Sequence, residues 1–171
     1  MNDKEFSNLT DSCRDKVFRL AKRLLVSTEE AQDAMQEVMM KLWNKGDVLN
    51  SYASVEAYAM TITKNYCLDQ LKSKRAGNLK IVHDDYVGRD ASLSQQTEDR
   101  DSWSWVEKAI ADLPVQQKMI IQLREIEQYD YNEIAEMMQM NEVAVRVALS
   151  RARKTLREFI IKTHSYGIGQ N

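Results

Sequence analysis

Proline is almost missing from this chain of 171 residues: Pro114 stands alone, and glycine occurs only at Gly46, Gly77, Gly88, Gly167 and Gly169. None of the glycines interrupts a periodic apolar segment, so the long stretches rich in Leu, Met, Ala, Glu, Lys and Gln read as helix throughout. Cysteine is scarce as well. Cys13 and Cys67 are too few for a disulfide framework and form no C-x-x-C pair, so each reads as a small buried hydrophobe. His83 and His164 lie far from each other and from both cysteines, which leaves no zinc-ligand spacing; neither a metal nor a cofactor is expected. No apolar run approaches the roughly 20 residues of a spanning helix. The start, Met1-Asn2-Asp3-Lys4-Glu5, has neither the basic residues nor the apolar stretch of a secretory signal. The expectation is a cytoplasmic protein without membrane insertion.

What the chain does contain is enough apolar material, 43% of residues, for helical cores of one or two small domains. A first block is expected over residues 1–75. Cys13, Val17, Leu20, Ala21, Leu24 and Leu25 recur at three- and four-residue spacing, one face of a helix. Ser27-Thr28-Glu29-Glu30 then reads as a capping box, opening a helix with the stripe Ala31, Ala34, Met35, Val38 and Leu42, Trp43 beside it. Asn44-Lys45-Gly46 stops that helix. A polar loop runs to Ser54, an N-cap for a third helix whose apolar face reads as Val55, Tyr58, Ala59, Ile62, Tyr66 and Leu71.

Residues 76–102 lose periodicity and carry six acids against three bases, the pattern of a flexible acidic tether. A second block spans 103–162, with a tail over 163–171. Trp103, Val106 and Ile110 mark a short helix; Leu113-Pro114 starts another, with Val115, Met119, Ile120, Leu123 and Ile126. Asp130-Tyr131-Asn132-Glu133 is a second capping box, opening a brief helix of Ile134, Ala135 and Met138. Gln139-Met140-Asn141 turns the chain into a long last helix holding Val145, Ala148, Leu149, Ala152, Leu156, Phe159 and Ile160. Two helices joined so tightly, with small Ala135 at the crossing, outline a helix-turn-helix. The expected fold is all-α: two small helical domains, the second a helix-turn-helix domain.

At about 100° per residue, Arg146, Ser150, Arg151, Arg153, Lys154 and Arg157 fall outside the apolar arc of the last helix, with Glu158 the one acid on that helix opposing them. A positive face on a recognition helix suits backbone phosphates. Val143, Ala144 and Val147, small and apolar near its start, suit thymine methyls. An ordinary solvated face is the competing reading. In the first block, Lys64, Lys72, Lys74 and Arg75 make the end of the third helix positive, with Tyr58, Tyr66 and Asn65 interleaved. Aromatics beside cations hold unpaired bases; equally, both tyrosines belong to a core. Net charge is −2, too little for a protein that grips DNA by electrostatics alone.

These segments resemble a known family, the extracytoplasmic-function (ECF) sigma factors of bacterial RNA polymerase. Ala31–Trp43, AQDAMQEVMMKLW, is similar to the core-binding helix of sigma region two. Val55–Arg75, VEAYAMTITKNYCLDQLKSKR, is similar to the promoter-melting and −10-reading helix, and Leu113–Ile161 to region four, which reads the −35 element. The resemblance implies core RNA polymerase and promoter DNA as partners, and an anti-sigma factor as regulator. It implies that Asp33, Gln36 and Glu37 dock on the polymerase clamp helices. It implies that Asn65 and Tyr58 line a pocket for a base flipped from the −10 strand, beside Lys72, Lys74 and Arg75 on phosphates. It places Val143, Ala144, Arg146, Val147, Ser150, Arg151, Arg153 and Lys154 on the −35 duplex. Ala148 stands where the family pattern usually has arginine, and Val143 and Val147 replace a common glycine and serine. In relatives the tether threads the polymerase channels, and an acidic segment suits a basic channel.

No catalytic residue set is recognisable: there are no paired carboxylates with supporting histidines, no Gly-rich phosphate loop and no Ser/His/Asp arrangement. The function expected is promoter-specific initiation with core polymerase. A stand-alone helix-turn-helix regulator is the alternative, and would bind free duplex as a dimer. A small helical enzyme and a structural adaptor explain less of the pattern.

Overall fold

The computed structural model describes the backbone of residues 1–81 and 98–168, and the side chains of 1–77 and 103–163. The side chains of His83 and His164, most of the expected tether (82–97) and nearly all of the tail lie outside the described residues. The described residues are helical with connecting turns and contain no strand. α1 (Asp3–Leu25), α2 (Thr28–Trp43) and α3 (Val55–Ile81) form one bundle. α4 (Glu98–Ala111), α5 (Val115–Ile121), α6 (Tyr131–Met138) and α7 (Glu142–Ile168) form a second.

In the first bundle the stripe read from α1 is buried in full: Cys13, Val17, Leu20, Ala21, Leu24 and Leu25. It meets Ala31, Ala34, Val38 and Leu42 of α2, whose small residues let the two helices approach closely. A fully buried leucine such as Leu42 contributes about 1.5–3 kcal/mol. The α2 N-cap forms, Ser27 Oγ accepting from Glu30 N at 3.3 Å. The Glu30 side chain, however, does not close the expected capping box; it reaches Lys74 of α3. Gly46 takes φ +55°, which a glycine adopts without steric cost, and begins a 3-10 turn (Gly46–Ser51) where the sequence suggested a plain loop. That turn buries Leu49. Ser54 caps α3 as expected, accepting from Ala57 N at 3.0 Å.

The buried face of α3 is rotated from the expected one. Ala59, Met60, Thr63, Lys64 and Cys67 are buried, whereas Tyr58, Ile62, Tyr66 and Leu71 are half-buried at its edge. Thr63 tolerates burial because its hydroxyl donates to Ala59 O at 2.7 Å. The expected tether is also shorter at both ends. α3 runs through Gly77 to Ile81, since one glycine in a run of helix formers costs only about 1 kcal/mol. α4 starts at Glu98, inside the stretch expected as tether.

In the second bundle α5 does not continue to Ile126. It widens into a π turn (Gln122–Ile126) closed by Glu127 N to Gln122 O at 3.0 Å. The inserted residue rotates Ile126 outward, so this expected core residue is exposed; Trp103 is exposed too. Val106 is half-buried and Ile110 buried. α6 opens as expected, Asp130 N donating to Glu133 Oε2 at 2.8 Å. It ends at Gln139, in the left-handed region at φ 54°. Met140 N closes the turn on Ala135 O at 2.9 Å. Asn141 then caps α7, its Oδ1 accepting from Ala144 N at 2.7 Å. Ile134, Ala135 and Met137 pack against Val145, Leu149 and Ala152, the helix-turn-helix crossing.

Candidate nucleic-acid interface

Three surfaces carry the residues singled out above. On α2, Asp33 and Gln36 are exposed and Glu37 half-exposed. Alternation with Ala34 and Val38, both in the core, turns these polar residues outward as a short acidic strip. Lys41 lies 4.0 Å from Glu37, one turn on, and tempers its C-terminal end. Met40 and Trp43 extend the strip with exposed apolar surface; the Trp43 ring also meets Phe6 edge-on at 5.1 Å.

The second surface is an open cleft of about 330 Å³ between the end of α2 and the middle of α3. Tyr58, Ile62, Asn65, Tyr66 and Asp69 line it from α3, with Lys41, Asn44 and Lys45 opposite. Tyr58 is held by stacking on Tyr52, centroids 4.5 Å apart and planes 20° from parallel. The Lys41 ammonium sits 5.5 Å from the Tyr66 ring centre. Burial, then the nearby Glu37 and Asp33 carboxylates, push the Tyr66 phenol above its ordinary value, so the hydroxyl stays a hydrogen-bond donor. The cleft therefore joins aromatic faces, an exposed amide and two cations, a combination suited to an unstacked base and its phosphate. Tyr58 and Tyr66 are both half-buried, packed against the bundle on one side and lining the cleft on the other.

Lys72, Lys74 and Arg75 continue along the exposed side of α3. Lys74 is engaged by Glu30. Lys64 departs from the expected basic cluster. It is 7% exposed and its Nζ donates to Met137 O of α6 at 2.7 Å; burial pushes this ammonium below the ordinary lysine value. Its place one residue before Asn65 turns it about 100° away from the cleft.

The third surface is the outer face of α7. Val143 and Val147 are 70% and 41% exposed, Ala144 is half-buried, and Arg146, Ser150, Arg151, Arg153 and Lys154 are exposed. The Arg146 guanidinium lies 4.1 Å from the centre of the Tyr131 ring, and Arg124 lies 4.5 Å from the same ring. These contacts order Arg146 while leaving its charge available. Glu158 is not the only acid opposing this face: Glu125, from the π turn, accepts from Arg153 Nε at 2.6 Å. Ala148 is 7% exposed. It lies on the packed side of α7, so an arginine at this position would displace core contacts rather than restore a cation to the outer face.

Sequence reasoning missed Lys41, Asn44, Lys45 and Asp69 of the cleft. Asp69 stands four residues after Asn65, a spacing that could have found it; the other three belong to another helix end and carry no such signal. It missed Tyr131 and Glu125 for the same reason.

The family model for sigma-70 region 2 matches residues 9–77, and that for sigma-70 region 4 matches residues 104–156. The ECF RNA polymerase sigma factor SigW of Bacillus subtilis is 23% identical over 168 residues, covering 90% of this chain and 87% of SigW. SigM of Mycobacterium tuberculosis, also an ECF sigma factor, is 26% identical over 145 residues, covering 85% of this chain and 71% of its own. Among solved structures, the sigma factor RpoE bound to the anti-sigma factor NepR from Bartonella quintana has a similar fold. Its TM-score is 0.73 at 21% identity, over 92% of this chain and 97% of that one. CnrH in complex with the cytosolic domain of CnrY gives a TM-score of 0.69 at 17% identity, over 94% of this chain and 90% of CnrH. With regions two and four in this order and ECF sigma factors matching it along most of its length, the chain belongs to the ECF family of RNA polymerase sigma factors.

Proposed function

We propose that this sigma factor directs core RNA polymerase to promoters by dividing the work among the three surfaces. The acidic strip of Asp33, Gln36 and Glu37 docks on a basic face of the polymerase. The outer face of α7 lies on the −35 duplex, with Val143, Ala144 and Val147 toward base edges and Arg146, Ser150, Arg151, Arg153 and Lys154 along phosphates. Asn65 and Tyr58 take up an unpaired −10 base, while Lys72, Lys74 and Arg75 hold the adjacent strand. The chain itself catalyses no reaction, and it is expected to work where the polymerase does, in the cytoplasm. An anti-sigma factor would act by covering these faces.

The observation that carries this reading is the cleft beside Asn65, on the same chain as a helix-turn-helix with an exposed basic face. Energetically the division is sensible. Each stacked DNA step lost on melting costs about 1.4 kcal/mol, and stacking a freed base on an aromatic side chain returns about 1–3 kcal/mol. The cleft thus offsets the opening of a step or two, and the polymerase supplies the rest of the grip.

Asn65 is exposed, so Asn65→Ala leaves the bundle's packing in place. The variant is expected to bind core enzyme normally while forming open complexes more slowly on a linear template. Loss of core binding, or unchanged melting, would remove the cleft from the mechanism.

A further inference from the structure

Among the described residues, Arg153 is the one cation on the outer face of α7 that an acid already holds. Its Nε and Nη2 lie 2.6 and 2.5 Å from Glu125 Oε1, so a single carboxylate oxygen occupies a whole edge of the guanidinium. No described carboxylate lies within ion-pair distance of Arg146, Arg151 or Lys154. Arg146 meets the face of the Tyr131 ring instead, which leaves the N–H edges of its guanidinium free of any acid.

The occupied edge is the one a phosphate would use. Arginine takes carboxylate and phosphate through the same pair of parallel N–H donors, so Glu125 and a DNA phosphate compete for one site on Arg153. The two side chains are 46% and 41% exposed. Water screens a pair so placed, and holding it contributes little to the fold. On the duplex the balance differs. Once Arg153 turns to a phosphate, Glu125 is left without its cation beside a row of negative charge that repels it. Glu125 stands in the π turn, 28 residues before Arg153, and single π turns frequently accompany functional sites. That turn reaches the recognition face twice: Arg124 through the Tyr131 ring that also carries Arg146, and Glu125 directly.

We propose that Glu125 is an internal stand-in for a DNA phosphate: it occupies Arg153 and thereby lowers the affinity of α7 for the −35 duplex. The inference rests on the promoter reading above for the site it tunes, while the competition itself concerns any polyanion. A recognition face weakened in this way suits a chain of net charge −2 that relies on polymerase for its grip.

The test is a double-mutant cycle in the full chain: Glu125→Gln, Arg153→Gln and both together. Each variant is read first on immobilised heparin, whose sulfates take the part of phosphates without polymerase. Glu125→Gln is expected to elute at higher salt than the wild type, and more than half of that gain to be lost when Arg153 is also glutamine. Each is then read in the complex with core polymerase on promoter DNA. There Glu125→Gln is expected to protect the −35 element at about two- to fivefold lower concentration. The slope of log affinity against log salt should steepen by up to about 0.9, the equivalent of one phosphate. A heparin gain that keeps more than half its size without Arg153 would reveal a general effect of charge and overturn the competition. Unchanged or weaker heparin binding by Glu125→Gln, or −35 protection no tighter than the wild type's, would overturn the proposal as well. Complexes in which no variant protects a −35 element would refute the promoter reading, and the heparin cycle would still decide whether Glu125 competes for Arg153.

Discussion

Removing the side-chain cap of the recognition helix gives a quantitative handle on the link from local structure to promoter contact. Asn141 Oδ1 accepts from Ala144 N at 2.7 Å, and Asn141 O takes the first intrahelical bond, from Val145 N at 3.1 Å. The first turn of any helix leaves four N–H groups without intrahelical partners, and losing a side-chain cap costs about 1 kcal/mol, within about 0.5–2. Val145, Leu149 and Ala152 stay packed in Asn141→Ala, so α7 survives and the loss falls on its first turn. That turn carries Val143 and Ala144, and 1 kcal/mol is about a fivefold change in the population that presents them in order. Urea denaturation should show a midpoint lowered by the equivalent of about 1 kcal/mol. Footprints of the polymerase complex should show −35 protection weakened by up to about fivefold, with −10 contacts unaffected. Asn141→Ser, which keeps a capping oxygen, should recover both. A stability unchanged by Asn141→Ala, or serine failing to recover it, would show that the cap bond does not organise this surface.

The C-terminus of α1 stores strain, since Val26 is a β-branched residue at φ 68° and 66% exposed. Val26→Gly should raise stability by about 0.5–1 kcal/mol in thermal or urea melts, the conformational relief exceeding the added unfolded-state entropy. Burial pushes the thiols of Cys13 and Cys67 up to about 11 and about 12. Neither should react with a thiol-specific disulfide reagent at pH 7 until denaturant is added; rapid labelling of the folded chain would contradict the packing. Burial works to raise the pKa of Glu56, but hydrogen bonds from Lys16 and Tyr129 outweigh it and hold the carboxyl below its ordinary value. A group so lowered contributes stability that is intact above about pH 5 and is lost as pH falls through its folded-state value, below about 4.3. The stability difference between wild type and Glu56→Gln should therefore shrink on acidification from pH 7; a difference independent of pH would show that the charge of Glu56 is not what matters.

Helix positions with a clean period were legible from sequence, and those that depend on a neighbouring helix were not. The stripes of α1 and α2 read correctly because small and large apolar residues recur where both helices meet one core. On α3 the sequence favoured tyrosines over Thr63 and Lys64, whose burial depends on bonds to Ala59 O and Met137 O that no spacing encodes. The π turn that exposes Ile126 leaves no trace in the apolar pattern, since a single inserted residue shifts the face without changing composition. The outer face of α7 was legible residue by residue. The cleft was legible only on its α3 side, and the polar bonds between the two bundles, such as Lys64 to Met137 O, Tyr129 to Glu56 and Arg19 to Glu127, not at all, because their partners lie 73 to 108 residues apart in the chain.

Run-off transcription with purified core RNA polymerase and a promoter library, with and without this chain, tests the central claim most directly. The account predicts that a subset of promoters yields discrete transcripts only when the chain is present, and that these fade when Asp33 and Glu37 are both reversed to lysine. Transcription by core enzyme that is the same with and without the folded chain, on every promoter, would contradict it.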